Sequence, residues 1–147
     1  MAGGIEFDVS GFMASMDALI ASVDTATGRA VTLGAQVIEK TSKESFGPAH
    51  SKGTPKSSDK AQSVTGTLRR SIHMTGVSSL GGGTWRAQVA PSTVYARRVE
   101  LGFHGADSIG RHFDQSAYPF MRPGLDKARD ELPAIFEATW NAAIHSL

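Results

Sequence analysis

An apolar stripe near the start of this chain limits the folds open to it. From Phe12 the apolar residues fall at Met16, Leu19, Ile20, Val23, Ala26, Ala30, Leu33, Val37 and Ile38. Steps of three and four keep them on one face of an α-helix. Ser10 offers an N-cap and Gly47-Pro48 a stop, so the pattern predicts a helix reaching about Phe46. At 1.5 Å per residue such a helix is about 50 Å long. A compact domain of 147 residues is narrower than that. The helix must therefore kink, with Gly28 and Gly34 as the weak points, or pack part of its length on another subunit. Small residues (Ala26, Gly28, Ala30, Gly34, Ala35) interrupt the large ones and admit close approach of another element.

The remaining elements are short. Residues 1–10 alternate Ile5, Phe7 and Val9, which suits a small edge strand or an arm laid on a neighbour. Residues 47–65 are rich in Gly, Pro, Ser and Lys and are predicted to be flexible alone or ordered by a partner. His50, Lys52, Lys56 and Lys60 give that loop local positive charge, which fits a solvated loop or contact with phosphate. Thr65 is placed to cap a helical turn carrying Leu68. A strand follows from Ser71, with Ile72 and Met74 on one face. The Gly81-Gly82-Gly83 run forms a hairpin loop, and Thr84 to Ala90 returns with Trp85, Ala87 and Val89 inward until Pro91 ends it. Tyr95 to Val99 reads as a turn of helix, and 102–117 as a second long polar loop. Tyr118-Pro119-Phe120-Met121 is predicted extended, and Pro123 suits the first turn of a helix. Leu125, Ala128, Leu132, Ile135, Phe136, Thr139, Ala143 and Ile144 continue that helix, with a bend expected at Pro133. The chain thus reads as one domain over residues 1–147 of α+β class. A small antiparallel sheet packs with a long N-terminal helix and a C-terminal helix, joined by long loops.

Composition excludes more chemistry than it suggests. The net charge is +1, so no whole-molecule field argues for nucleic acid or an anionic membrane. There is no cysteine, hence no thiolate nucleophile and no cysteine metal site. The first residues lack the basic patch and apolar run of a signal peptide, and no apolar stretch is long enough to span a bilayer. The expectation is a soluble protein made in the cytoplasm. His104, Asp107, His112 and Asp114 share the 102–117 loop, but their spacing lacks the tight local pattern of metal ligands. No G-x-S-x-G elbow occurs, and the triple glycine lacks the Lys-Ser/Thr ending of a phosphate loop. Glu100 reads as the ion-pair partner of Arg97 or Arg98, and Glu39, Glu44, Glu131 and Glu137 as exterior helix residues. The sequence therefore predicts no enzyme, no cofactor and no metal.

Three segments carry a family resemblance. T-G-T-L-R-R-S-I (65–72), Y-A-R-R-V-E-L-G-F (95–103) and A-Y-P-F-M-R-P-G-L-D-K-A (117–128) occur in that order. Together they resemble the neck, or tail-completion, minor tail components of long-tailed bacteriophages with flexible tails. With the flanking helices the likeness covers most of the chain, although the loop after Phe103 is longer than is usual in that family. The resemblance implies a structural virion protein without enzymatic activity, assembled in the host cytoplasm and sited at the head–tail junction. It implies a homo-oligomeric ring, hexameric in the family, around the channel through which DNA passes. Its neighbours would be the head-closure protein on one side and the tail tube or its terminator on the other. On this reading Tyr95, Val99, Leu101, Phe120 and Leu125 join the sheet to the C-terminal helix, and Glu100 pairs with Arg122. Lys52, Lys56, Lys60, Arg69 and Arg70 form a surface facing DNA or a partner. The alternative is a nucleic-acid-binding module built on the same Lys-rich loop.

Overall fold

The computed structural model describes residues 8–48, 61 and 66–146. The predicted arm at 1–10 and loop at 47–65 thus fall largely outside the described residues, as do Lys52, Lys56 and Lys60. The fold is α+β. Helix α1 (Ser10–Glu44) is followed by α2 (Thr67–Ser71), β1 (Ile72–Gly81), β2 (Thr84–Pro91), α3 (Ala96–Leu101), β3 (Phe103–Ala106), β4 (His112–Gln115), α4 (Met121–Arg129) and α5 (Leu132–Ile144). The strands form two separate antiparallel pairs, β1 with β2 and β3 with β4.

Helix α1 is the spine, and it runs unbroken through both of its inner glycines. Those glycines are contact points. A Cβ on Gly28 would lie 2.8 Å from the Trp85 ring, and one on Gly34 2.9 Å from Leu132 Cδ2. Gly124 of α4 fits even more closely, since a Cβ there would sit 2.4 Å from Ser42 Cα. The small residues thus do what their size suggested: they let a hairpin and two helices approach α1 closely. Polar bonds fix the register. Trp85 Nε1 donates to Asp24 Oδ1 at 2.9 Å, and Trp140 Nε1 to Thr27 Oγ1 at 3.0 Å. The Met74 N–H donates to Glu39 Oε2 at 2.9 Å, and Thr41 Oγ1 lies 2.7 Å from the Gly124 carbonyl. Glu39 is therefore half-buried at a strand start, a correction to its reading as an exterior residue. Ser10 does not cap α1. The Asp8 carboxylate accepts the Ser10 N–H instead.

The main hairpin follows the sequence pattern. Trp85, Ala87 and Val89 are half-buried, while Arg86 and Gln88 are exposed. Gly82 and Gly83 form the turn with φ of 59° and 75°, the left-handed values that a two-residue connection between twisted strands requires. Two other expectations are corrected. The 102–117 segment is not a structureless loop, because β3 and β4 pair from Phe103↔Gln115 to Ala106↔His112. Nor does one C-terminal helix bend at Pro133. The helix stops at Arg129, and a new one begins at Leu132 with Pro133 in its first turn. There the missing proline N–H costs no hydrogen bond.

A buried apolar core lies at the C-terminal end of α1. Ala61, Leu68, Ile72, Ala96 and Phe120 are buried together, with Phe46, Val89, Val99, Tyr118 and Met121 packed around them. The Phe46 and Phe120 ring centroids are 4.9 Å apart. Phe120 and Ile72 are fully buried, each contributing on the order of 2 kcal/mol of transfer free energy.

Candidate functional site

The three motif segments meet in this core. Leu68 and Ile72 come from the first, Ala96 and Val99 from the second, and Phe120 and Met121 from the third. Backbone bonds reinforce the join: Ser92 N–H to the Ser71 carbonyl at 3.0 Å, and Tyr118 N–H to the Val99 carbonyl at 2.7 Å. The part assigned to Val99 and Phe120 is realised. Tyr95, Leu101 and Leu125 are instead exposed and do not serve as buried framework.

Glu100 sits at the centre of the join. Helix α4 starts at Phe120-Met121-Arg122-Pro123 with no side-chain cap of its own. The Glu100 carboxylate supplies one from 20 residues upstream. Oε2 accepts the N–H of Phe120 at 2.7 Å and of Met121 at 3.0 Å, and Oε1 accepts the N–H of Arg122 at 3.0 Å. Pro123 has no N–H, so every donor of the first turn is accounted for. The negative charge also faces the positive end of the helix dipole. The expected Glu100–Arg122 ion pair is thus corrected. The two residues do meet, but through the Arg122 backbone, and neither Arg97 nor Arg98 pairs with Glu100. Arg98 lies over the Phe103 ring, 4.4 Å from its centroid.

The other nominated residues separate. Arg69 and Arg70 are exposed on α2 and have no carboxylate partner among the described residues. The two loop acids pair locally. His104 Nδ1 meets Asp114 Oδ1 at 2.5 Å across the β3–β4 ladder, and Arg111 folds back on Asp107 at the tip. Burial of Asp107 opposes ionisation, but the Arg111 N–H, its guanidinium and the Ile109 N–H outweigh that and hold the carboxyl below its ordinary value. Among the described residues no group of three potential ligands could hold a metal ion. No described helix is long and apolar enough to cross a membrane.

Two apolar surfaces stand out among the described residues, and sequence periodicity alone does not separate them from the core. One is the N-terminal end of α1. The β1–β2 turn reaches α1 near Asp17 to Ile20, and the end of α5 reaches Ser22, whose Oγ is 3.4 Å from the Ala143 carbonyl. Every residue from Ser10 to Ala18 is exposed. Phe12 is 66% exposed and Ile20 62%, with Met13 and Met16 between them. At 100° per residue these four share an arc of about 100°. The other surface is a groove of about 540 Å³ between α1, β2, α4 and α5. Val31, Ile38, Val89, Leu125, Leu132 and Phe136 line it, and Glu100 and Arg122 stand at its edge.

No protein-family model, no curated protein and no solved structure matches this chain.

Proposed function

We propose that this chain is a structural subunit of a bacteriophage neck, a tail-completion or terminator component that forms a ring around the DNA channel. In that place it joins the head-closure protein to the tail tube. One observation carries the reading. The motif segments that resemble the neck family are the ones that build the Phe120 core and the Glu100 cap. Residues that a family shares for scaffolding belong in such a framework. Residues kept for catalysis belong in a cleft with free acids, bases or nucleophiles. Here the central carboxylate is committed to three backbone donors, and the remaining apolar surface lies outside the core, where neighbours can cover it. The hexameric stoichiometry and the contacts with head and tail proteins belong to this proposal.

The test is assembly without the protein. A phage carrying this chain, with its coding sequence interrupted, should accumulate DNA-filled heads and separate tails that do not join. Complete infectious particles in normal yield would refute the proposal.

A second reading is supported by Arg69 and Arg70, whose exposed guanidinium groups lack carboxylate partners among the described residues. On this reading the chain binds nucleic acid directly, and the Lys-rich loop with Lys52, Lys56 and Lys60 supplies further positive charge. A gel shift that weakens steeply with salt and is reduced by R69A/R70A would favour it. No shift at low salt would dismiss it.

A further inference from the structure

We propose that the apolar stripe on the projecting end of α1 seats in the groove between α1, β2, α4 and α5 of a second copy of this chain, so that copies join head to tail. The contact stands on the two surfaces themselves. Its closure into a ring rests on the neck reading.

The stripe is a helix face without a counterpart among the described residues of its own chain. Phe12, Met13, Met16 and Ile20 are each more than a third exposed and face one way. Taking ~200 Å² for each fully exposed side chain, they present on the order of 450 Å² of apolar surface, in the range where a patch on a soluble protein marks an interaction site. The groove is the converse: a concave apolar surface whose floor is lowered by Gly34 and Ala35. Amphipathic helices bind such grooves through residues spaced three and four apart, as Met13 and Met16 are by three, and Phe12, Met16 and Ile20 by four.

Charge decides which surface meets which. Residues 8–28 contain Asp8, Asp17 and Asp24 and no lysine or arginine. Two stripes packed on each other would bring the exposed Asp8 and Asp17 of both copies together. At the groove edge the Glu100 carboxylate is occupied by the start of α4, whereas Arg122 has no ion pair among the described residues. An acidic, apolar tip therefore complements the groove and opposes another tip. A contact between two different surfaces is heterologous and repeats from copy to copy until it closes. The stripe alone falls short of the roughly 800 Å² per partner of a stable pair. Each copy in a closed ring makes the contact twice, once with each end.

The absence of cysteine from the chain permits a clean test. M16C, L125C and the double variant M16C/L125C are prepared in the full chain and oxidised under mild catalysis. Both positions are partly exposed, so the fold tolerates the changes. Neither single variant should cross-link alone, an equal mixture should give a disulfide-linked dimer, and the double variant should give a ladder of multimers. In parallel, M16D should sediment as a monomer at concentrations where the parent is oligomeric, with an unchanged far-ultraviolet circular dichroism spectrum. Self-cross-linking by M16C alone would overturn the head-to-tail contact. So would a double variant without intermolecular bonds, M16D remaining oligomeric, or a parent chain that is monomeric throughout. An oligomer without the ladder would defeat this contact and leave the neck reading standing. A ladder from a protein absent from virions would do the reverse.

Discussion

Replacing Glu100 with Ala removes the acceptor from three backbone donors at once. The Phe120 N–H belongs to a fully buried residue and the Met121 N–H to a half-buried one, whereas Arg122 is exposed. Hydrogen bonds to a charged acceptor contribute about 1.5–3 kcal/mol each when their loss strands a shielded donor, and little when water can replace the partner. Counting the two shielded donors near the lower figure, Glu100→Ala should cost about 3 kcal/mol. At roughly 2–4 °C per kcal/mol for a chain of this size, the melting temperature should fall by about 6–12 °C. Glu100→Gln keeps one oxygen but turns an amide N–H₂ toward a donor, so it should cost about 1–2 kcal/mol. Urea unfolding followed by circular dichroism reads both numbers. Two protein concentrations separate any linkage to self-association. The charge swap Glu100→Arg with Arg122→Glu is the sharper control. The Arg122 contribution is its backbone N–H, so the double variant should be no more stable than Glu100→Arg alone. Rescue by the swap, or a loss below about 0.5 kcal/mol for Glu100→Ala, would refute the capping argument.

The close approaches to α1 rank three substitutions. Gly124→Ala drives a Cβ into the Ser42 backbone at 2.4 Å and should cost about 3 kcal/mol or more; Gly28→Ala meets the Trp85 ring and should cost about 1–3; Gly34→Ala meets only the movable end of Leu132 and should cost under about 1.5, all readable as denaturation midpoints. Ser42 Oγ is buried without a hydrogen-bond partner among the described residues, so Ser42→Ala should be neutral or stabilise by up to about 1 kcal/mol in the same assay. The Glu39 carboxyl is held below its ordinary value, first by its hydrogen bond to Lys43 and further by the Met74 N–H, against some burial. A carboxyl whose folded pKa is depressed contributes its stability above the ordinary carboxylate range and loses it as pH falls through the folded value. Glu39→Gln should therefore lower stability at neutral pH and flatten the acid limb of the stability curve, measured by urea midpoints between pH 7 and strongly acidic pH.

The long helix, the main hairpin and the helical turn after Tyr95 were legible in the sequence because each rests on a local rule. Periodicity fixed α1, alternation around Trp85, Ala87 and Val89 fixed β2, and Pro123 marked a helix start. Periodicity could not tell that Phe12 to Ile20 face outward, because a stripe reads the same against its own core or a neighbour's. The β3–β4 pair was hidden because His104, Gly105 and Ala106 offer no apolar alternation; the ladder is held by backbone bonds, His104–Asp114 and the Phe103–Phe113 contact instead. The break before Pro133 was missed because Leu125 to Ile144 keep one apolar period across it. The role of Glu100 is a tertiary fact, since nothing local connects it to a helix 20 residues on. One signal was available. Phe120 stands where Ser, Thr, Asp or Asn would cap α4, and a helix start without a cap calls for an acceptor from elsewhere in the fold.

The place proposed for this chain is the head–tail junction, and locating the chain in virions tests it. Electron microscopy of virions carrying a tagged copy, labelled with gold, should show the label as a collar at the boundary between head and tail. Label on the capsid surface or the tail tip, or virions without it, would contradict the account.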